Sequence, residues 1–166
     1  MLEKIKETVA YLESRTNVKP TIGIILGTGL GGLVKEINAI DVIPYEEIPN
    51  FPVSTVEGHS GKLIFGELGG KHVIAMQGRF HYYEGYSLQE VTFPVRVMKL
   101  LGIERLFVSN ASGGVNPAFE VGEIMIMNDH INLFPGNPLI GKNIDELGPR
   151  FPDMSVPYDP TMIDLA

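Results

Sequence analysis

The chain of 166 residues carries 13 basic and 20 acidic side chains, a formal net charge of −7, no Cys and a hydrophobic fraction of 44%. This length predicts a single domain spanning residues 1–166, and the hydrophobic fraction argues against an intrinsically disordered chain. The acidic balance disfavours nucleic acid as a partner, because backbone phosphates need clustered Lys and Arg, and the lack of Cys excludes disulfides and thiolate metal sites.

The N-terminal segment 1–15 has charged residues every few positions, so it lacks the unbroken apolar core of a signal peptide. No apolar run in the chain approaches the roughly 20 residues that cross a bilayer. We therefore expect a cytoplasmic protein with no membrane partner. Within the segment, apolar side chains recur at helical spacing, which predicts an amphipathic helix that ends before Pro20.

Short apolar runs predict the strands of the first half of the chain. Residues 22–26 form a continuous apolar run flanked by turn residues, as in a buried strand of an α/β sheet. Residues 62–67 and 71–76 predict two further strands, which the glycine-containing turn 68–70 joins as a hairpin.

Helix-capping residues mark two later helices. Ser87 is followed three residues later by Glu90, which is the pattern of a capping box at the start of a helix. This helix should stop at Gly102, and Pro94 should kink its first part because proline removes a backbone donor. A shorter helix is predicted after Asp159, which would cap its first turn.

The remaining apolar runs complete the predicted sheet. Residues 105–110 and 123–127 predict two more strands, and the alternation in the second places Met125 and Met127 in the core. Residues 134–160 show no periodicity and predict a long functional loop. The order of the elements favours an α/β fold in which helices flank a mixed central β-sheet.

Residues 27–32 form a glycine-rich turn directly after the first predicted strand. Their backbone N–H groups could cradle one phosphate, with the hydroxyl of Thr28 as a further donor. The spacing also fits the G-x-G-x-x-G pattern of a dinucleotide site, and hence an oxidoreductase, although the helical stretch that follows is short. A tight turn with packing glycines is the third interpretation, and the turn alone leaves the three open.

Residues 77–86, after the hairpin, combine a cation, an imidazole and phenols. In an extended segment alternate side chains share a face, so Arg79, His81 and Tyr83 should point together. Arg and His are both suited to hold a phosphate, and Glu84 could orient His81 and favour its charged form. The alternative is a solvated loop with aromatic anchors.

Three further segments have weaker signals. The small residues of 109–115 follow a predicted strand, where α/β sheets bind ligands, although a plain turn explains them equally well. His59 lies on a glycine-flanked loop that could cover a ligand, and simple exposure is the alternative. The segment 129–132 pairs an Asp with a His, but no other ligand stands at metal spacing, so we predict no metal site.

Seven segments, in order along nearly the whole chain, together resemble the trimeric purine nucleoside phosphorylases. They are LGTGLGGL (26–33), GHSGKL (58–63), MQGRFHYYEGY (76–86), SNASGG (109–114), DHINL (129–133), GNPLIG (136–141) and GPRFPDMS (148–155). The resemblance implies phosphorolysis, in which a purine nucleoside and phosphate give free purine and ribose 1-phosphate. It implies no cofactor beyond phosphate as co-substrate, and a homotrimer. The methylthioadenosine phosphorylases are related and remain an alternative.

The resemblance also implies residue roles. It assigns phosphate binding to the residues Thr28, His59, Arg79, His81 and Ala111. It assigns contacts with the nucleoside to Tyr83, Asn110, Gly113 and Phe151. It makes His81 catalytic with the support of Glu84, and it implies that Phe151 reaches into a neighbouring subunit to cover the ribose there.

The chain departs from the family in length. The Glu and Asn that typically contact the purine belong to a C-terminal part of the family's sequence to which no residue here can be matched. We therefore expect the N-terminal portion of a phosphorylase domain, with an incomplete sheet and no turnover by the 166-residue chain alone. A non-catalytic fragment that binds phosphate or nucleoside is the alternative function.

Overall fold

The computed structural model describes residues 1–27, 29–53 and 61–166, which form two compact units, 1–111 and 112–166. The first unit contains the helices α1 (Leu2–Arg15), α2 (Leu88–Val91) and α3 (Phe93–Leu100). Its strands are β1 (Ile22–Leu26), β2 (Asn38–Pro44), β3 (Lys62–Leu68), β4 (Lys71–Gln77) and β5 (Arg105–Val108). Short 3-10 helices cover Gly31–Glu36, Tyr45–Glu47 and Tyr82–Glu84.

The five strands form one mixed sheet in the order β2-β3-β4-β1-β5. Strand β1 lies between β4 and β5 and pairs in parallel with both. The pairings of β2 with β3 and of β3 with β4 are antiparallel. The carboxyl ends of β1, β4 and β5 therefore meet at one edge of the sheet, and the predicted mixed sheet with flanking helices is confirmed.

The core surrounds the sheet centre. All four residues from Val73 to Met76 of β4 are buried, so both faces of this strand are covered. One face packs against Ile24, Leu26 and Ile64. Helix α1, whose apolar stripe includes the fully buried Ile5 and Leu12, packs against α3. The sequence patterns for α1, β1 and the β3–β4 hairpin predicted these elements correctly.

The predicted helix after Ser87 is broken in two rather than kinked. The Ser87 hydroxyl accepts a hydrogen bond from the Glu90 N–H and completes the predicted capping box. Helix α2 ends at Val91 with Thr92 as its C-cap, and Pro94 stands in the first turn of α3. The Thr92 N–H completes the last turn of α2 by donating to the Leu88 carbonyl across 3.2 Å, whereas Pro94 has no N–H with which to bond to the Glu90 carbonyl.

Two strand predictions were wrong or incomplete. The structure describes no strand over residues 123–127, and Met125 is exposed rather than in the core, because no segment among the described residues pairs with this run. Strand β2 was not predicted, although Ile40, Val42 and Ile43 are β-branched. Strand β2 lies at the edge of the sheet, and its pairing with β3 shifts register between Ala39 and Asp41. This shift interrupts the alternation of inward and outward side chains that marks a regular strand.

The second unit, 112–166, contains the 3-10 helix Asp145–Leu147 and the helix α4 (Pro160–Leu165). Residues 134–160 are otherwise irregular, as predicted. The Asp159 side chain accepts a hydrogen bond from the Met162 N–H and caps α4, which confirms the predicted cap. Among the described residues of both units, no helix has the length and apolar character needed to cross a membrane.

Candidate active site

The candidate site lies at the edge of the sheet where the three parallel strands end. Gly27 follows β1, Arg79 comes two residues after β4, and Ser109 follows β5. The Gly27 N–H donates to the Ser109 hydroxyl across 2.9 Å, and Nη1 of Arg79 donates to the Ser109 carbonyl, also across 2.9 Å. Segments that are far apart in sequence are thus joined by direct hydrogen bonds, as the parallel arrangement of the strands predicts.

Arg79 and His81 contact each other directly. Nε of Arg79 donates to Nε2 of His81 across 3.1 Å. A guanidinium can only donate, so Nε2 of His81 is an acceptor here and the ring proton resides on Nδ1. That Nδ1 lies 2.6 Å from Oε1 of Glu84, which also accepts the His81 backbone N–H across 2.9 Å. The predicted orientation of His81 by Glu84 is therefore present in the structure.

The Glu84 carboxylate is buried and contacts His81 on the side of the ring away from Arg79. Its side chain is only 4% exposed, whereas that of His81 is 29% exposed. A carboxylate removed from water needs donors, and His81 provides two of them. The local chain makes this possible because the 3-10 helix Tyr82–Glu84 brings Glu84 back to His81, where the Glu84 N–H donates to the His81 carbonyl across 3.1 Å. The imidazole is thereby held with Nε2 directed toward Arg79.

Tyr83 extends the face formed by Arg79 and His81. Its ring stacks on the His81 ring with centroids 4.6 Å apart and planes inclined by 15°. Arg79 thus contacts His81 and His81 contacts Tyr83, although Tyr82–Glu84 is a 3-10 helix and not the extended segment that the prediction assumed. Tyr83 is 78% exposed, so its hydroxyl and outer face are accessible to a ligand.

The opposite side of this segment is anchored in an aromatic cluster. Phe80 is 4% exposed and lies between Tyr45, with ring centroids 5.1 Å apart, and Phe51, at 6.2 Å. The Tyr45 hydroxyl donates to the Gly78 carbonyl across 2.7 Å. Burial raises the pKa of Tyr45 well above its ordinary value. The segment is consequently fixed from behind while its polar side chains face outward.

Two glycines near the candidate site, Gly27 and Gly61, stand where a side chain would not fit. A β-carbon on Gly27 would stand 2.3 Å from the Ser109 carbonyl oxygen and 2.7 Å from the Asn110 α-carbon. A β-carbon on Gly61 would stand 2.2 Å from the ring of Tyr45. Only a residue without a side chain permits these backbone approaches.

The remaining predicted residues are placed as follows. Asn110 and Ala111 follow Ser109 at the same strand end, and the Asn110 amide donates to the Ala111 carbonyl across 3.3 Å. Thr28 and His59 lie outside the described residues. Gly113 belongs to the second unit, and the space around its β-carbon position is open.

Phe151 also belongs to the second unit, where its ring is 86% exposed. The Arg150 guanidinium lies 5.9 Å from the centre of that ring. Nη1 of Arg150 donates to the carbonyls of Leu139 and Gly141, each across 2.9 Å. Arg150 therefore joins the segment that carries Phe151 to the backbone at Leu139 and Gly141. Within 1–27, 29–53 and 61–166, no group of three or more His, Asp or Glu side chains could hold a metal ion.

The sequence analysis assigned no role to Ser109 or Tyr45, both of which hold segments of the candidate site in place. Ser109 was passed over in favour of its neighbours, although a hydroxyl residue at the end of a strand is a signal for side-chain bonding to the adjacent strand. Tyr45 was not considered because it lies 33 residues from its partner, Gly78, and its bond is to a backbone carbonyl.

Comparison with known proteins shows the family of the chain. The family described as "Phosphorylase superfamily" matches residues 21–166. Purine nucleoside phosphorylase 1 of Geobacillus stearothermophilus is 58% identical over 162 residues, which are 98% of this chain and 59% of the relative. Its namesake from Bacillus subtilis is 55% identical over the whole chain and 61% of the relative. The chain thus spans about three-fifths of the length of these relatives.

Solved structures agree in fold. A purine nucleoside phosphorylase in complex with ribose-1-phosphate matches 99% of this chain and 62% of its own, with a TM-score of 0.93 and 48% identity. Isoform 2 of the Schistosoma mansoni enzyme, in complex with cytosine and ribose-1-phosphate, matches 98% of this chain and 58% of its own, with a TM-score of 0.91 and 50% identity.

Proposed function

The chain belongs to the phosphorylase superfamily, and on that basis we propose that it serves the phosphorolysis of purine nucleosides. In this reaction an oxygen of inorganic phosphate attacks the anomeric carbon of the ribose or deoxyribose. The C–O bond forms, the C–N bond to the base breaks, and the products are free purine and the sugar 1-phosphate. The observation that carries the proposal is the Arg79–His81–Glu84 array at the carboxyl ends of parallel strands.

Arg79 and His81 are suited to hold hydrogen phosphate. Arg79 would donate to its charged oxygens through the guanidinium, which is the side chain best shaped for an oxyanion. Nε2 of His81 has one lone pair, which the Arg79 Nε–H occupies in this structure, so we propose that the phosphate O–H takes the place of Arg79 at that nitrogen while Glu84 keeps the ring proton on Nδ1. We propose that the backbone at Ala111, the hydroxyl of Thr28 and the loop residue His59 complete this half of the site.

The sugar is proposed to lie between phosphate and the aromatic face. Glycosidic cleavage passes through an oxocarbenium-like transition state, so the anionic nucleophile must be held beneath the anomeric carbon. We propose that Tyr83, which stacks on His81, contacts the ribose, that Asn110 binds the nucleoside and that Gly113 lines the base pocket. Phe151, which is exposed, would cover the ribose of a neighbouring subunit in a homotrimer.

The departing purine carries developing negative charge, and its stabilisation is the remaining requirement of the reaction. We propose that the chain acts in the cytoplasm with phosphate as co-substrate and without a further cofactor. The family match extends across both units, which supports one domain over 1–166.

Phosphate-dependent release of hypoxanthine from inosine tests this function. The complete natural protein should release hypoxanthine only when phosphate is present, with ribose 1-phosphate formed in equal amount. Release of base without phosphate would contradict phosphorolysis, and a preference for methylthioadenosine over inosine would favour the related enzyme class.

A further inference from the structure

Ser109 makes four hydrogen bonds that tie the ends of the parallel strands together. Its backbone N–H donates to the Ile25 carbonyl across 3.0 Å, and its hydroxyl donates to the same carbonyl across 3.2 Å. Its hydroxyl oxygen accepts the Gly27 N–H across 2.9 Å. Its carbonyl accepts Nη1 of Arg79 across 2.9 Å. One residue thus contacts both other strand ends of the candidate site.

We propose that Ser109 is a positioning residue of the phosphate site, whose hydroxyl holds the backbone N–H of Gly27 at the end of β1 and whose carbonyl holds the Arg79 guanidinium. The inference rests on the proposed function, since it concerns the same site. Ser109 itself is not assigned a contact with substrate.

The side chain is necessary because of where Gly27 lies. Gly27 is buried, and a buried backbone N–H without a partner is unfavourable. The Ser109 hydroxyl is the acceptor for this N–H, and its own proton goes to Ile25, so its donor and acceptor capacities are both used. Removal of the hydroxyl would leave the buried Gly27 N–H without this acceptor.

Removal of the Ser109 hydroxyl would also affect the position of the Arg79 side chain, which donates to the Ser109 carbonyl. The Ser109 carbonyl oxygen lies against the α-carbon side of Gly27, since a β-carbon there would stand 2.3 Å from it. If the Gly27–Ser109 contact loosens, that carbonyl moves, and with it the acceptor that holds one arm of the guanidinium. Nε of the same guanidinium donates to Nε2 of His81, so the geometry of both proposed phosphate ligands depends on Ser109.

A matched pair of variants tests this role. Thr keeps the hydroxyl, whereas Val has nearly the shape of Thr without it, so the added methyl group cancels in the comparison. The affinity for inorganic phosphate is measured by calorimetry, and KM for phosphate and for inosine by phosphorolysis, all on the complete natural protein. Ser109→Val should weaken phosphate binding about tenfold relative to Ser109→Thr, with KM for inosine unchanged within about twofold.

A control variant separates positioning from general destabilisation. Thr8 in α1 is buried, and its hydroxyl bonds to the carbonyls of Lys4, at 2.9 Å, and Pro49, at 2.7 Å. Thr8→Val should lower the melting temperature without weakening phosphate binding. If Ser109→Val fails to fold, Ser109→Ala takes its place in the comparison with Ser109→Thr.

Each outcome decides the proposal. Equal phosphate affinity of the Thr and Val variants, or an equal loss in Thr8→Val, would overturn the role of Ser109 while leaving the proposed function intact. If the unmodified protein binds no phosphate, the proposed function and the role of Ser109 both fail. Selective loss in Ser109→Val with rescue by Ser109→Thr supports the role.

Discussion

Arg79 and His81 form a donor–acceptor pair: Nε of the guanidinium donates to Nε2 of the imidazole across 3.1 Å. The pair is held at both ends, because Glu84 bonds to the far side of the imidazole and the Ser109 carbonyl bonds to the far side of the guanidinium. A ligand that enters here meets two side chains whose orientations are already set. Preorganisation of this kind reduces the cost of ordering on binding.

Replacement of Arg79 by Lys should weaken phosphate binding. The guanidinium bonds to His81 and to the Ser109 carbonyl with different nitrogens, and a single ammonium cannot reproduce this fork. We expect Arg79→Lys to raise KM for phosphate at least about tenfold while KM for inosine changes less than about twofold. Steady-state kinetics with each substrate varied in turn measures both.

The control for this variant is Arg105→Lys. Arg105 begins β5, away from the carboxyl ends of the strands, and pairs on the surface with Glu104 at 3.5 Å. A comparable rise in KM for phosphate in Arg105→Lys would show that the effect at Arg79 is not specific to the site.

Glu84 can be tested by separating its charge from its geometry. Gln retains an oxygen that can accept both His81 donors, whereas Ala retains neither function. Hydrogen bonds to charged groups are worth about 1 kcal/mol more than neutral ones, so Glu84→Gln should lower kcat/KM for phosphate about fivefold and Glu84→Ala about 100-fold. Initial rates of inosine phosphorolysis check this order, and equal losses in the two variants would contradict it.

Gly27 should not tolerate alanine. The added β-carbon would meet backbone atoms of Ser109 and Asn110, which cannot rotate away as a side chain would. We expect Gly27→Ala to destabilise the fold by about 1–3 kcal/mol and to weaken phosphate binding. Urea denaturation measures the first effect.

Gly31→Ala is the matched comparison for Gly27→Ala. Nothing lies within 4 Å of a β-carbon at Gly31, which starts a 3-10 helix. We expect no destabilisation there, and a gain of up to about 0.5 kcal/mol from the lower entropy of the unfolded chain. A similar loss of stability in both variants would show that the contact with Ser109 does not determine the outcome.

The buried hydroxyl of Tyr45 should make the free energy of unfolding depend on pH above the ordinary pKa of tyrosine. Its pKa in the folded protein is raised by burial above the value of about 10 in the unfolded chain. The hydroxyl therefore stays protonated on folding while the unfolded chain loses this proton above about pH 10. Since the unfolded state then binds fewer protons, the stabilisation present below pH of about 10 decreases as pH rises further.

The variant Tyr45→Phe isolates this contribution. At neutral pH the variant should be about 1 kcal/mol less stable, because it loses the bond to the Gly78 carbonyl. Above about pH 10 the free energy of unfolding of the unmodified protein should fall by up to about 1.4 kcal/mol per pH unit more than that of the variant. Denaturation curves at about pH 7, 10 and 11 measure the difference. A difference that stays constant would disprove the burial of an un-ionised Tyr45.

Local signals in the sequence predicted local structure well. The caps at Ser87 and Asp159 were correct because each depends on one side chain and a backbone N–H three residues away. The run 123–127 has the composition of a strand, yet it has no partner among the described residues and remains irregular. Strand β2 was missed for the related reason that its strand character comes from pairing with β3. A strand exists only where another segment completes its hydrogen bonds.

The sequence by itself determined which side chains of one segment come together, because Arg79, His81 and Tyr83 are close neighbours along the chain and Glu84 lies three residues from His81. Only the tertiary structure decided what holds those side chains in place. Ser109 lies 30 residues from Arg79 and 82 from Gly27, and it acts in part through its carbonyl, a group that every residue possesses. No pattern of side chains marks such a contact; it arises because parallel strands bring their carboxyl ends to one edge of the sheet.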